Sequence, residues 1–87
     1  MPEVCRFHSG ITIHQYYSDH NPPHFHAIDG DDEVQILIGP SLGVLAGALN
    51  RKALADVVHW AGGHRAELAL NWIDALAQAP LKRIGYP

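Results

Sequence analysis

Apolar residues alternate with polar ones up to Asn50, and from Arg51 they recur every three to four positions. That single change of period restricts the chain to strands followed by helix, because alternation suits a pleated strand and the longer period suits one helix face. Ile11 to Tyr17 reads as a first strand, with Ile11, Ile13, Gln15 and Tyr17 on one face and Thr12, His14 and Tyr16 on the other. Ser18 to Pro23 is a turn segment. His24 to Ile28 reads as a second strand, placed at a sheet edge because Pro22 and Pro23 carry no N–H. Gly30, Asp31 and Asp32 form an acidic turn. Val34 to Ile38 and Val44 to Leu49 are the third and fourth strands, separated by the turn Gly39-Pro40-Ser41.

Asn50 suits an N-cap for the alanine- and leucine-rich segment that begins at Arg51. Leu54, Val57, Val58, Ala61, Arg65, Leu68, Trp72, Ala75 and Leu76 then fall on one stripe at helical spacing. The phase survives Gly62-Gly63, so the pattern predicts one long helix over about 51–77. The rival reading is a break at Gly62, with His64 opening a second helix. Pro80 ends the pattern and the last residues form a tail. The expectation is one α+β domain over residues 1–87: a mainly antiparallel sheet of three or four strands, one face covered by a long C-terminal helix. The uncovered face would meet solvent or a partner.

A single cysteine excludes an internal disulfide framework and a four-thiolate zinc site within one chain. Cys5 is expected to be a small core residue. No apolar run approaches the about 18 residues of a membrane span, and the N-terminal residues lack the pattern of a signal peptide. A cytoplasmic protein without membrane contact is the expectation. The net charge is −3, and the first 49 residues hold Arg6 as their only Lys or Arg. Basic residues pair at Arg51-Lys52 and Lys82-Arg83, a weak footprint for nucleic acid. Gly39 to Gly47 lacks the lysine and hydroxyl residue of a phosphate-binding loop, so nucleotide cofactors are not expected.

Histidine is the anomaly: there are seven, five of them between His8 and His26. Asp19, His20, His24 and His26 surround the two prolines, and period-two geometry sends His24 and His26 from one strand face. Imidazoles and a carboxylate suit zinc or another borderline divalent ion. The same residues suit an acid–base pair for phosphodiester transfer, one ring taking a 2′-hydroxyl proton and the other protonating the leaving oxygen. A third reading is a hydrogen-bonded structural or binding surface. On the helix, Trp60, His64, Glu67 and Asn71 form a second stripe. It either completes local packing or lines a groove in which His64 or Glu67 joins the histidines. The acidic residues Asp29, Asp31, Asp32 and Glu33 read as a solvated hairpin turn.

The run from Tyr16 to His26, with Trp60-Ala61, His64-Arg65, Glu67-Leu68 and Asn71-Trp72 further on, resembles the small bacterial domain-of-unknown-function family numbered 4160. Members look like short stand-alone proteins, often encoded beside another small protein of unknown function. The resemblance implies one component of a two-gene, toxin–antitoxin-like or regulatory pair, and it carries over no catalytic residue. A protein-binding module, acting on another small protein or as a homodimer, is the first expectation, with Trp60, Trp72, Tyr16 and Tyr17 as aromatic anchors. The alternative is a histidine-based or metal-dependent ribonuclease built on His20, His24 and His26.

Overall fold

The computed structural model describes residues 2–87. Five strands lie in sequence order in one antiparallel sheet: β1 (Glu3–Arg6), β2 (Thr12–His14), β3 (His24–Asp29), β4 (Asp32–Leu37) and β5 (Val44–Gly47). Two helices come after the sheet, α1 (Arg51–Gly62) and α2 (Arg65–Leu76). The α+β class and antiparallel sheet agree with the sequence pattern. Strand number and helix number do not. The extra strand is β1, whose four residues are too few to display alternation and are fixed by pairing with β2. The expected edge strand, β3, is central. Pro22 and Pro23 stand just before it, so they cost the ladder nothing, and the Pro23 carbonyl even accepts from the Ile38 amide.

The predicted long helix is broken, as in the rival reading. Gly63 caps α1, its N–H donating to the Trp60 carbonyl, and the His64 N–H donates to the Ala61 carbonyl. Two glycines in one turn lose more backbone freedom in a helix than the phase match returns, so the chain re-aims there. Asn50 does cap α1, its side chain accepting from the Ala53 amide at 2.9 Å.

Ile13, Phe25, Ala27, Val34 and Ile36 occupy one sheet face and are fully buried. Ala53, Val57, Trp60 and Ala61 of α1 join the same core, Trp60 packing against Phe7 and Phe25. Leu54 and Val58 lie at its margin. Leu68, Asn71, Trp72 and Ala75 are the buried side of α2. Arg65 and Leu76, assigned to the helical core stripe, are exposed, because the buried side of α2 is centred on Leu68, Asn71, Trp72 and Ala75 and both lie beyond its edge, as Leu54 and Val58 lie at the margin in α1. The C-terminal tail is part of the fold. The Ile84 amide donates to the Val4 carbonyl, its side chain is buried, and the Gly85 carbonyl accepts from Trp60 Nε1. On β5, Gly47 has φ of 77°, and a Cβ there would stand 2.2 Å from the Glu33 carbonyl oxygen. Only glycine closes that pairing.

Candidate functional site

The sheet face away from the core is polar. His14 of β2 stands opposite His26 of β3, which stands opposite Gln35 of β4. His24 leaves the same face of β3 two residues earlier, as strand periodicity requires. The Ser18–Pro23 segment then bends back over this face and brings Asp19 between the two rings. Asp19 Oδ2 lies 2.7 Å from His26 Nε2 and 3.1 Å from His24 Nε2. The His20 amide donates to Asp19 Oδ1 at 3.1 Å, while the His20 ring, 79% exposed, reaches only to within 3.5 Å of that oxygen. Asp19, His20, His24 and His26 are thus brought together.

Each buried ring has a second partner at its other nitrogen. His24 Nδ1 is 2.7 Å from the Pro22 carbonyl oxygen, which can only accept, so the proton sits on Nδ1. His24 Nε2 is fully buried and, although 3.1 Å from Asp19 Oδ2, makes no aligned hydrogen bond. His26 Nδ1 faces Glu33 Oε2 at 2.7 Å. Two carboxylate oxygens therefore bracket one imidazole. Burial, the largest influence on Asp19, would raise its carboxyl. The hydrogen bond with His26 and the neighbouring His24 ring outweigh it, leaving Asp19 below the usual aspartate value. Tyr16 packs edge-on against His26, and burial pushes its phenol up. Burial likewise lowers His14, whose Nε2 meets Thr12 Oγ1 at 2.9 Å.

Glu33, which the sequence pattern assigns to a solvated turn, is the further member of this cluster. Its signal lies in the hairpin. A two-residue turn at Gly30-Asp31 pairs Asp29 with Asp32, and that register places Glu33 diagonally across from His26 on the same face. The helical stripe does not join this cluster. His64 turns its Nδ1 to Glu67 Oε1, and the His64 ring tilts against Trp60. Trp60 and His64 line a separate cavity of about 610 Å³ with Tyr86. Asn71 is committed inside the fold: its Nδ2 donates to Gln15 Oε1 and the Lys82 carbonyl, and its Oδ1 accepts from the Lys82 amide. Trp60 and Trp72 are buried and therefore not free to serve as anchors, whereas Tyr16 and Tyr17 are half-buried.

A family model described as Domain of unknown function (DUF4160) matches residues 10–73. The chain belongs to that family. The DUF4160 match runs from just before β2 into α2 and contains the whole histidine–carboxylate cluster. No curated protein and no solved structure matches the chain. Among the described residues of this DUF4160 chain, no helix is long and apolar enough to cross a membrane.

The lowered folded-state value of Asp19 sets the sign of its effect on stability. Its contribution is complete above the ordinary aspartate range and is lost as pH falls through the lower folded value. Asp19→Asn should flatten the acid limb of a melting-temperature profile below about pH 4, measured by circular dichroism. An acid limb as steep as the parent's would remove Asp19 from the account.

Proposed function

We propose that this protein is a small protein-binding module that makes its contacts through the outer face of α2. The observation behind this reading is that α2 carries a second apolar strip, opposite its buried side and flanked by Arg65, Glu67 and Asp74. Its inner side is buried, and its outer side carries Ala66, Ala69, Leu70, Ile73 and Leu76 with no charged residue among them. Leu70, Ile73 and Leu76 are each 59% exposed. A short helix with an exposed apolar strip of this size is short of a partner. The second sheet face, where the sequence pattern looked for an interface, is polar and does not offer such a seat. The partner is another copy of this chain or a second small protein, and the family resemblance suggests the product of a neighbouring gene in a toxin–antitoxin-like or regulatory pair.

An enzymatic reading has less support. The histidines are held by a carbonyl and two carboxylates rather than opening on a cleft, and the cavities of about 610, 380 and 170 Å³ are lined by other residues. A ribonuclease would also bring a polyanion against Asp19 and Glu33. Of the basic pairs, Lys52 is near Asp56 and Arg83 is tied to Glu3, which weakens a nucleic-acid surface.

Light scattering of the chain alone, and mixed with the product of the adjacent gene, tests the module. The expected result is a dimer or a complex burying at least about 1,000 Å², abolished by Ile73→Glu in a chain that stays folded. A monomer in both samples overturns it.

A further inference from the structure

We propose that Asp19, His24 and His26 form a binding site for zinc or a similar borderline divalent cation, closed by His20 as fourth ligand. Nothing in this rests on the outer face of α2. The donor atoms of Asp19, His24 and His26 lie within 4.8 Å of one another.

The first support is the placement of protons. His24 carries its proton on Nδ1, toward Pro22, so the lone pair of its buried Nε2 faces the lone pairs of Asp19 Oδ2 at 3.1 Å. Two acceptors at that distance repel unless something positive stands between them. His26 has a carboxylate oxygen 2.7 Å from each nitrogen. A cation at the Nε2 side, with a proton only on Nδ1, satisfies all of these atoms at once: both Nε2 lone pairs and Asp19 Oδ2 become ligands.

The spacing gives the second. Donors at about 2.0–2.1 Å from a tetrahedral zinc stand about 3.3 Å apart, and two imidazoles bound through Nε2 have centroids about 5.2 Å apart. The His24 and His26 centroids are 5.0 Å apart, and the Asp19 contacts need open by only a few tenths of an ångström.

The third is the outer shell. Ligating histidines donate their other N–H to a carboxylate or carbonyl, which fixes the tautomer and the ring. His26 does so to Glu33 and His24 to Pro22. Both rings are arranged the same way, with Nδ1 outward to an acceptor and Nε2 inward to Asp19.

His20 supplies the closure. Its ring centroid is 5.6 Å from that of His24, near the spacing for two rings on one ion, and its exposed side chain is free to swing onto it. Four protein ligands make a site that holds the Ser18–Pro23 segment to the sheet, rather than one with a position open to substrate.

Untagged protein, stripped with chelator, is titrated with zinc and with cobalt(II). The wild-type chain should bind about one ion with a rise in melting temperature and the intense visible absorption of tetrahedral cobalt. Asp19→Ala and His26→Ala should bind at least about 100-fold more weakly, since loss of an outer-shell partner alone costs 10–100-fold. Glu33→Gln, on the half-exposed hairpin, should show that smaller loss in a chain whose circular dichroism is unchanged. His20→Ala should still bind, with weaker cobalt absorption as water takes the fourth position. Wild-type zinc affinity in Glu33→Gln together with Asp19→Ala, or a wild-type cobalt spectrum no different from the aqueous ion, overturns the site. An unchanged cobalt spectrum in His20→Ala overturns the closure.

Discussion

Leu68→Ala is expected to remove about 2–5 kcal/mol of folding stability, whereas Leu76→Ala, eight residues on in the same helix, should change it by less than about 0.5 kcal/mol. Leu68 is fully buried in the common core, and its backbone carbonyl accepts from Gln15 Nε2 at 3.0 Å. Truncation there leaves a cavity that the sheet and α1 cannot collapse into without moving. Leu76 is 59% exposed. Against a total of about 5–15 kcal/mol for a domain, the first substitution removes a large share and the second almost none. Urea melts of both variants with equal slopes provide the comparison. A Leu68→Ala loss below about 1 kcal/mol would take Leu68 out of the core.

Asn71→Ala is expected to cost at least about 2 kcal/mol without affecting any surface contact. The Asn71 amide joins three segments: Gln15 after β2, the helix α2 itself, and Lys82 in the tail. Gln15 and Asn71 are both buried, so removing the amide leaves Gln15 Oε1 without its donor and frees both backbone groups of Lys82. The cost of unpaired buried polar groups exceeds the worth of the bonds they made. Because Lys82 leads to Ile84 and Gly85, which pack on β1 and Trp60, the tail should loosen first. Hydrogen exchange at the Ile84 amide, bonded to the Val4 carbonyl, reports that directly. An Asn71→Ala chain with full protection at Ile84 and parental stability would return Asn71 to the role of a surface or binding residue.

Local pattern reaches only part of the way to these outcomes. Leu68 and Leu76 share the sequence stripe, and only the side of α2 that the fold buries, with Asn71, Trp72 and Ala75, separates their fates. Both outcomes at Gly62-Gly63 were legible from the glycines. Choosing between them depends on where α2 finds Gln15 and the tail to bury against, and Gln15 lies more than fifty residues away in sequence. β1 is illegible in the sequence for a similar reason. Its four residues carry no period of their own, and it exists because β2 offers a free edge.

The candidate site divides along the same line. Asp19, His20, His24 and His26 were visible as a cluster because two short-range effects, strand alternation and a proline-set turn, act within eight residues. Trp60, His64, Glu67 and Asn71 shared a helical stripe, yet the fold sends Trp60 into the core, ties His64 to Glu67 and commits Asn71 to Gln15 and the tail. Helical phase says which residues share a side of a helix. It does not say what that side meets.

By itself the sequence determined the fold class, the N-cap at Asn50, the face shared by His24 and His26, and the family, because each rests on neighbours along the chain. Tertiary structure decided that β3 is central, that the helix breaks at Gly63, that Glu33 completes the bracket around His26, and that α2 keeps an apolar outer face. Those features depend on which distant segments pair and pack. Pairing energy is shared among many weak contacts, no one of which leaves a mark on the local pattern.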